Sequence, residues 1–180
     1  MRVITGTAKG RRLMTLEGDS VVRPTADRVK EALFSIIQFE LEGASVLDLF
    51  AGSGQLGIEA LSRGAAKATF IDKSRDAFEV VNQNLKITGL FSQAVVLNSD
   101  SLVFLFNTKE KYDIIFIDPP YNNGTIEKAL SGAVNVCSDN GIIICETGKI
   151  EELPETIGDF IKNKEYNYSK TKLTTYRKNI

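Results

Sequence analysis

The chain has 180 residues, 43% of them hydrophobic and 25% charged, which is one soluble globular unit with room for one sizeable core. It has no histidine, which excludes Ser–His and Cys–His nucleophilic chemistry and argues against a catalytic zinc, so no metal is expected. No apolar run reaches membrane-spanning length, so no membrane partner is expected either. The net charge of −1 hides an asymmetry, +4 over residues 1–30 and +5 over residues 162–180 against −10 between them, and basic ends on an acidic body point to a polyanion held by the termini.

Arg2–Thr5 and Arg11–Thr15 read as short strands around a Gly6–Gly10 turn, a hairpin bearing Lys9, Arg11 and Arg12. Arg23-Pro24-Thr25 follows, with Thr25 as N-cap of a helix whose apolar face is Val29, Leu33, Ile36 and Ile37, running to about Phe39. From Ser45 strands and helices alternate. Val46–Phe50 is a strand, Gln55–Arg63 a helix, Ala68–Ile71 a strand ending at Asp72. Ser74 caps a helix to Thr88 that Gly89 closes. Ala94–Leu97 is a strand, a short helix carries Leu102, Leu105 and Phe106, and Tyr112–Ile117 is a buried strand leading into Asp118. Thr125 caps a helix to about Val136, and Gly141–Glu146 is a fifth strand. This pattern predicts βαβ units and a mostly parallel sheet. A helix is expected over Pro154–Lys162, then a hairpin, Glu165–Tyr168 with Lys172–Tyr176, forming an antiparallel C-terminal edge. Cys137 and Cys145 are the only cysteines and read as reduced core residues of a cytoplasmic protein. Residues 1–42 form an N-terminal extension and residues 43–180 the core, in a single compact unit.

Two stretches carry chemistry. In Asp48-Leu-Phe50-Ala51-Gly52-Ser53-Gly54-Gln-Leu-Gly57, glycines let backbone approach a ligand ahead of a helix N-terminus. The spacing Gly52-x-Gly54-x-x-Gly57, with Asp72 about twenty residues on, also matches the dinucleotide fingerprint. Against a nicotinamide stand Asp48, where a pyrophosphate would pass, and Phe50 inside the loop; a carboxylate there suits a cationic amino-acid moiety. Asp72 suits ribose hydroxyls under either reading.

The second stretch is Asp118-Pro119-Pro120-Tyr121, at a strand's carboxyl end, where open α/β sheets bind ligands. Two prolines take the chain out of the sheet stiffly. A conjugated exocyclic amine is a poor nucleophile, and its two N–H groups need fixed acceptors; the Asp118 carboxylate and the Pro119 carbonyl can supply them. Tyr121 offers a face on which an unstacked base can lie.

Asp48-Leu-Phe-Ala-Gly-Ser-Gly resembles motif I of the class I S-adenosylmethionine-dependent methyltransferases, and Asp118-Pro-Pro-Tyr resembles their amino-methylating motif IV. Arg2-Val-Ile-x-Gly, Gly10-Arg-Arg-Leu, Arg23-Pro-Thr-x-Asp-Arg-Val and Glu59-Ala-Leu-Ser-Arg-Gly-Ala resemble the RsmD family, over essentially the whole chain. The resemblance implies a Rossmann-like fold and methylation of guanine N2 in 16S rRNA at position 966, on naked RNA or an assembling small subunit. It also implies S-adenosylmethionine along Asp48–Gly54, with Asp72 and its neighbour Lys73 at the ribose and Asp100 and Ser101 at the adenine. Arg23, Thr25 and Arg28 would fold over the site. Adenine N6 of DNA, a glutamine side chain and a non-catalytic RNA-binding role are the competing readings. One departure is Tyr168-Ser169, where the family usually has Tyr-Gly, which leaves the terminal hairpin's shape open.

Overall fold

The computed structural model describes residues 1–16, 24–120 and 124–179, with the side chains of residues 24–26 excepted. One eight-stranded sheet runs β3-β2-β1-β4-β5-β8-β7-β6. Strands β1 (Ser45–Asp48), β2 (Lys67–Asp72), β3 (Ala94–Asn98), β4 (Tyr112–Ile117) and β5 (Cys137–Gly148) are parallel. Strands β6 (Thr156–Ile157), β7 (Phe160–Asn167) and β8 (Thr171–Lys178) add antiparallel, with β8 against β5. The helices are α1 (Pro24–Ile36), α2 (Gln55–Ser62), α3 (Arg75–Thr88), α4 (Ser101–Asn107) and α5 (Thr125–Ala133).

Near-continuous apolar strands fit a sheet buried on both faces, and their residues divide by alternation. Val46, Phe70, Ile114, Phe116 and Ile144 pack with α1, α2 and α3. Leu47, Ile71, Ile115, Ile117 and Ile143 pack with α4 and α5. Local signals set the ends. The Ser74 Oγ accepts from the Ala77 N–H, and Gly89 closes α3 in the left-handed region. Both cysteines are buried and unpaired; burial pushes the Cys137 thiol up to about 12 and the Cys145 thiol up as well.

Several boundaries differ from expectation. No helix forms over Pro154–Lys162: Ile157 pairs with Phe160 across a two-residue Gly158-Asp159 turn, with Gly158 at φ +54°. That turn chemistry outweighs the helical spacing of Ile157 and Ile161. Helix α1 starts at Pro24, which suits a first helical position, so Thr25 lies inside the first turn. The helix stops at Ile36, leaving Phe39 exposed. Gly124, not Thr125, precedes α5, which ends at Ala133. In α4, Leu105 is buried but Phe106 is 89% exposed. The β7–β8 hairpin forms with Ser169 in its turn, the Tyr168 N–H donating to the Thr171 carbonyl at 2.8 Å.

The N-terminal hairpin keeps its backbone pairing around a single bridge, Arg2 with Arg12, and docks on α2. Gly6 needs to be glycine twice over: its φ is +88°, and a Cβ would stand 1.7 Å from the Ser62 carbonyl. Fully buried Glu59 accepts from the Ile4 and Thr5 N–H groups at 2.8 and 3.0 Å and from Arg63 Nε at 2.8 Å. Lys30 Nζ stands 3.5 Å from the same carboxylate and donates to the Arg2 carbonyl. Burial lowers the Lys30 pKa against the pull of Glu59. Val3, Ala8 and Leu13 join the same core as Phe70 and Phe116, so the extension and the sheet share one interior.

Candidate active site

The strand order reverses between β1 and β4, and ligands of open α/β sheets bind at that point. Here a cavity of ≈ 650 Å³ opens, lined by the β1 loop, Asp72, Lys73, Asp100, Ser101 and the Asp118–Pro120 turn. It brings together every cofactor residue expected from the sequence except Gly54, which packs behind the loop with its Cβ position 3.1 Å from Val81.

Asp48, 2% exposed, ends β1 and accepts from the Gly57 N–H at 3.0 Å. Burial raises its pKa to about 7; the Gly57 bond opposes the shift and Asp72 adds to it. Asp118, half-buried at the end of β4, is raised well above the carboxylate range by burial, then by Glu146 and Asp48. Glu146 follows Cys145, the register partner of Ile117, so it lies beside Asp118, two residues before β5 ends at Gly148. Asp48, Asp118 and Glu146 thus come close together on three adjacent strands. Charges of one sign brought close together in a dry site resist ionisation, so the end of the cavity held by Asp48 and Asp118 favours a cationic ligand or strong donors.

The partners of the loop's three glycine N–H groups weigh against the dinucleotide alternative. The Gly52 N–H donates to Asp72 Oδ2 at 2.9 Å, the Gly54 N–H to the Ala51 carbonyl at 2.6 Å, and the Gly57 N–H to Asp48. None of these three glycine N–H groups is left to cradle a pyrophosphate, which needs such donors. Gly57 has a packing reason instead, since a Cβ there would lie 2.3 Å from the Phe70 ring. The other oxygen of Asp72 accepts from the Ser74 N–H. Asp100 caps α4 through the Leu102 and Val103 N–H groups, and Ser101 Oγ donates to the Leu49 carbonyl. An acidic end with spent glycine N–H groups, an aromatic in the loop and a carboxylate at the end of β2 fit the ammonium, sulfonium and ribose of S-adenosylmethionine.

Some residues of the site were not foreseen. Met1 and Leu16, from the two arms of the hairpin, line the cavity, and Ser53 Oγ donates to Met1 Sδ at 3.4 Å. Buried Asn84 bonds the loop and the hairpin together. Its signal was in the sequence: it stands on the stripe Ala77, Val81, Leu85, Thr88, where an amide needs partners. Glu59, among buried Leu56, Ile58, Ala60 and Leu61, carried the same signal.

The substrate-facing calls divide. Lys9, Arg11, Arg12 and Arg28 are exposed, and among the described residues none of them forms an ion pair. Arg23 and Tyr121 lie outside the described residues, as does the side chain of Thr25. The C-terminal positive charge is largely spent. Lys162 meets Glu155 and Glu165, Lys172 meets Glu152 and Glu165, Arg177 meets Glu40, and Lys178 meets Asp139. That leaves the N-terminal hairpin as the more open cationic surface.

A parallel sheet with an antiparallel strand beside β5, a carboxylate-bearing loop after β1 and Asp-Pro-Pro after β4 define a class I methyltransferase. Residues 1–177 match the family model described as "Conserved hypothetical protein 95". The chain is 39% identical to the "Putative rRNA methyltransferase YlbH" of Bacillus subtilis, over 99% of both chains. It is 39% identical to the "Ribosomal RNA small subunit methyltransferase D" of Haemophilus influenzae, over 85% of this chain and 81% of that one. The solved structure of the "Putative methyltransferase yhhF" from Escherichia coli superimposes with a TM-score of 0.88 at 33% identity, covering 99% and 97% of the two chains. The chain belongs to the RsmD family.

Proposed function

We propose that the protein transfers a methyl group from S-adenosylmethionine to the exocyclic N2 of a guanine in small-subunit rRNA, the expected target being guanine 966. The observation that carries the reading is that Asp118-Pro119 and the loop from Asp48 to Ser53 open on one cavity. The names of the relatives support an rRNA substrate.

When bound, S-adenosylmethionine supplies an activated methyl on a sulfonium. Asp48 would hold its ammonium and Asp72 its ribose. The Asp118 carboxylate and the Pro119 carbonyl accept the two amine protons and hold the nitrogen lone pair on line, so that position and electrostatics supply the catalysis. Once the nitrogen has become cationic its proton passes to the Asp118 carboxylate that accepts it and from there to solvent, so no histidine is needed. Tyr121 stacks the base. Residues 1–42 form the RNA-facing extension of the catalytic core, with Lys9, Arg11 and Arg12 on phosphates, and the protein acts in the cytoplasm.

The test is transfer of radiolabelled methyl, in parallel, to small-subunit rRNA, the assembling small subunit, DNA and protein. The proposal expects label in the rRNA. Label in DNA adenine or protein glutamine replaces the substrate, and no label anywhere favours a non-catalytic RNA-binding role.

A further inference from the structure

Asn84 lies on the buried side of α3 with no solvent exposure, and its amide is shared between two functional parts. Oδ1 accepts from the Met14 N–H at 2.7 Å, and Nδ2 donates to the Met14 carbonyl at 3.0 Å. This pair imitates a neighbouring strand and fixes the second arm of the hairpin. Nδ2 also donates to the Ser53 carbonyl at 2.8 Å, in the loop that lines the cavity. Two residues past Met14, Leu16 reaches the cavity wall, and Met1 on the other arm lines it against Ser53. The far end of the hairpin is clamped by Glu59 and by Ser62, whose Oγ donates to the Thr5 carbonyl and accepts from the Ala8 N–H. The hairpin cannot shift at its open end without disturbing the Asn84 bonds and, through them, Ser53.

We propose that Asn84 is a positioning residue that couples RNA contact by the hairpin to cofactor binding by the Ala51–Gly54 loop, so that each ligand tightens the other. The inference rests on the reading of the cavity as the S-adenosylmethionine site and of the hairpin as the RNA contact. A buried polar network is stable only when every member is satisfied. A ligand that orders the hairpin therefore also orders the loop, and linkage makes the effect reciprocal.

The experiment is a pair of titrations, S-adenosylhomocysteine with and without full-length small-subunit rRNA, and the RNA with and without S-adenosylhomocysteine. In the wild type each ligand should bind about tenfold tighter in the presence of the other, by one shared factor. Asn84→Ala should bring both factors close to one. Should Asn84→Ala fail to fold, hydrogen exchange on the wild type decides: S-adenosylhomocysteine alone should slow the Leu13 and Met14 amides, and RNA alone should slow those of Gly52 and Gly54. A factor of one in the wild type, a variant that keeps the full factor, or no change in exchange overturns the coupling. A wild type that binds no S-adenosylhomocysteine defeats the proposed function itself, and this inference with it.

Discussion

Replacing Asp48 by asparagine should stabilise the ligand-free protein, and more so as pH rises. Asp48 is raised from 3.8 to about 7 in the folded chain, so the native state holds a proton that the unfolded chain has released. A folded carboxylate pKa above the unfolded value makes stability fall as pH climbs from about 4 to about 7, and level off above that. Three units at 1.36 kcal/mol each give a penalty of about 4 kcal/mol at pH 8, undiluted by solvent because the side chain is 2% exposed. Asparagine keeps an acceptor for the Gly57 N–H and carries no charge. For a chain of this size, about 4 kcal/mol corresponds to roughly 8–16 °C in melting temperature. Melting curves of both proteins at pH 5, 6, 7 and 8, without ligand, should show the variant's advantage growing with pH and flattening near 8. The same variant should lose affinity for S-adenosylhomocysteine, whose ammonium would face the missing charge. A difference between the two proteins that stays constant from pH 5 to 8 would refute the argument that Asp48 is a strained, ligand-seeking carboxylate.

Asp118→Asn should lower kcat about 10²–10³-fold while S-adenosylhomocysteine affinity, measured by calorimetry, changes little; because burial raises the Asp118 pKa, wild-type turnover should go on climbing with pH above the ordinary carboxylate range. Neutralising Lys9, Arg11 and Arg12 together should weaken RNA binding and reduce the log–log salt slope by roughly one unit per lost phosphate contact, whereas neutralising the paired Lys162 and Lys178 should leave the slope near wild type. Tyr121→Ala should cost roughly 1–3 kcal/mol in substrate binding if the ring stacks the base, with no change in the salt slope. Gly57→Ala forces a Cβ to 2.3 Å from the Phe70 ring and should destabilise the fold by about 1–3 kcal/mol in denaturant unfolding.

The parallel core was legible because each strand is a short apolar run closed by a strong punctuator: Asp48, Asp72 and Asp118 stand at strand ends, and Ser74 and Gly89 bracket α3 as read. The cavity's floor was legible for the same reason, since its residues are local in sequence. Two things were not. Ile157 and Ile161 have helical spacing, and only the Gly158-Asp159 turn decides for a hairpin. The cavity's outer wall, Met1 and Leu16, is built by contacts across 31 to 70 residues, through Asn84 to Ser53 and Met14 and through Glu59 to Ile4 and Thr5. Charge counting also overrated the C-terminus, because it cannot see that Glu152, Glu155, Glu165, Glu40 and Asp139 are folded against those cations.

The central claim is that Asp118-Pro119 presents a guanine N2 to the methyl donor. Its most direct test is nucleoside analysis of small-subunit rRNA after reaction with labelled S-adenosylmethionine. The account predicts label as N2-methylguanosine at a single position, lost with Asp118→Asn. Label in rRNA on an adenine, on a ring nitrogen or on a ribose would contradict it, as would N2-methylguanosine formed at the wild-type rate by Asp118→Asn.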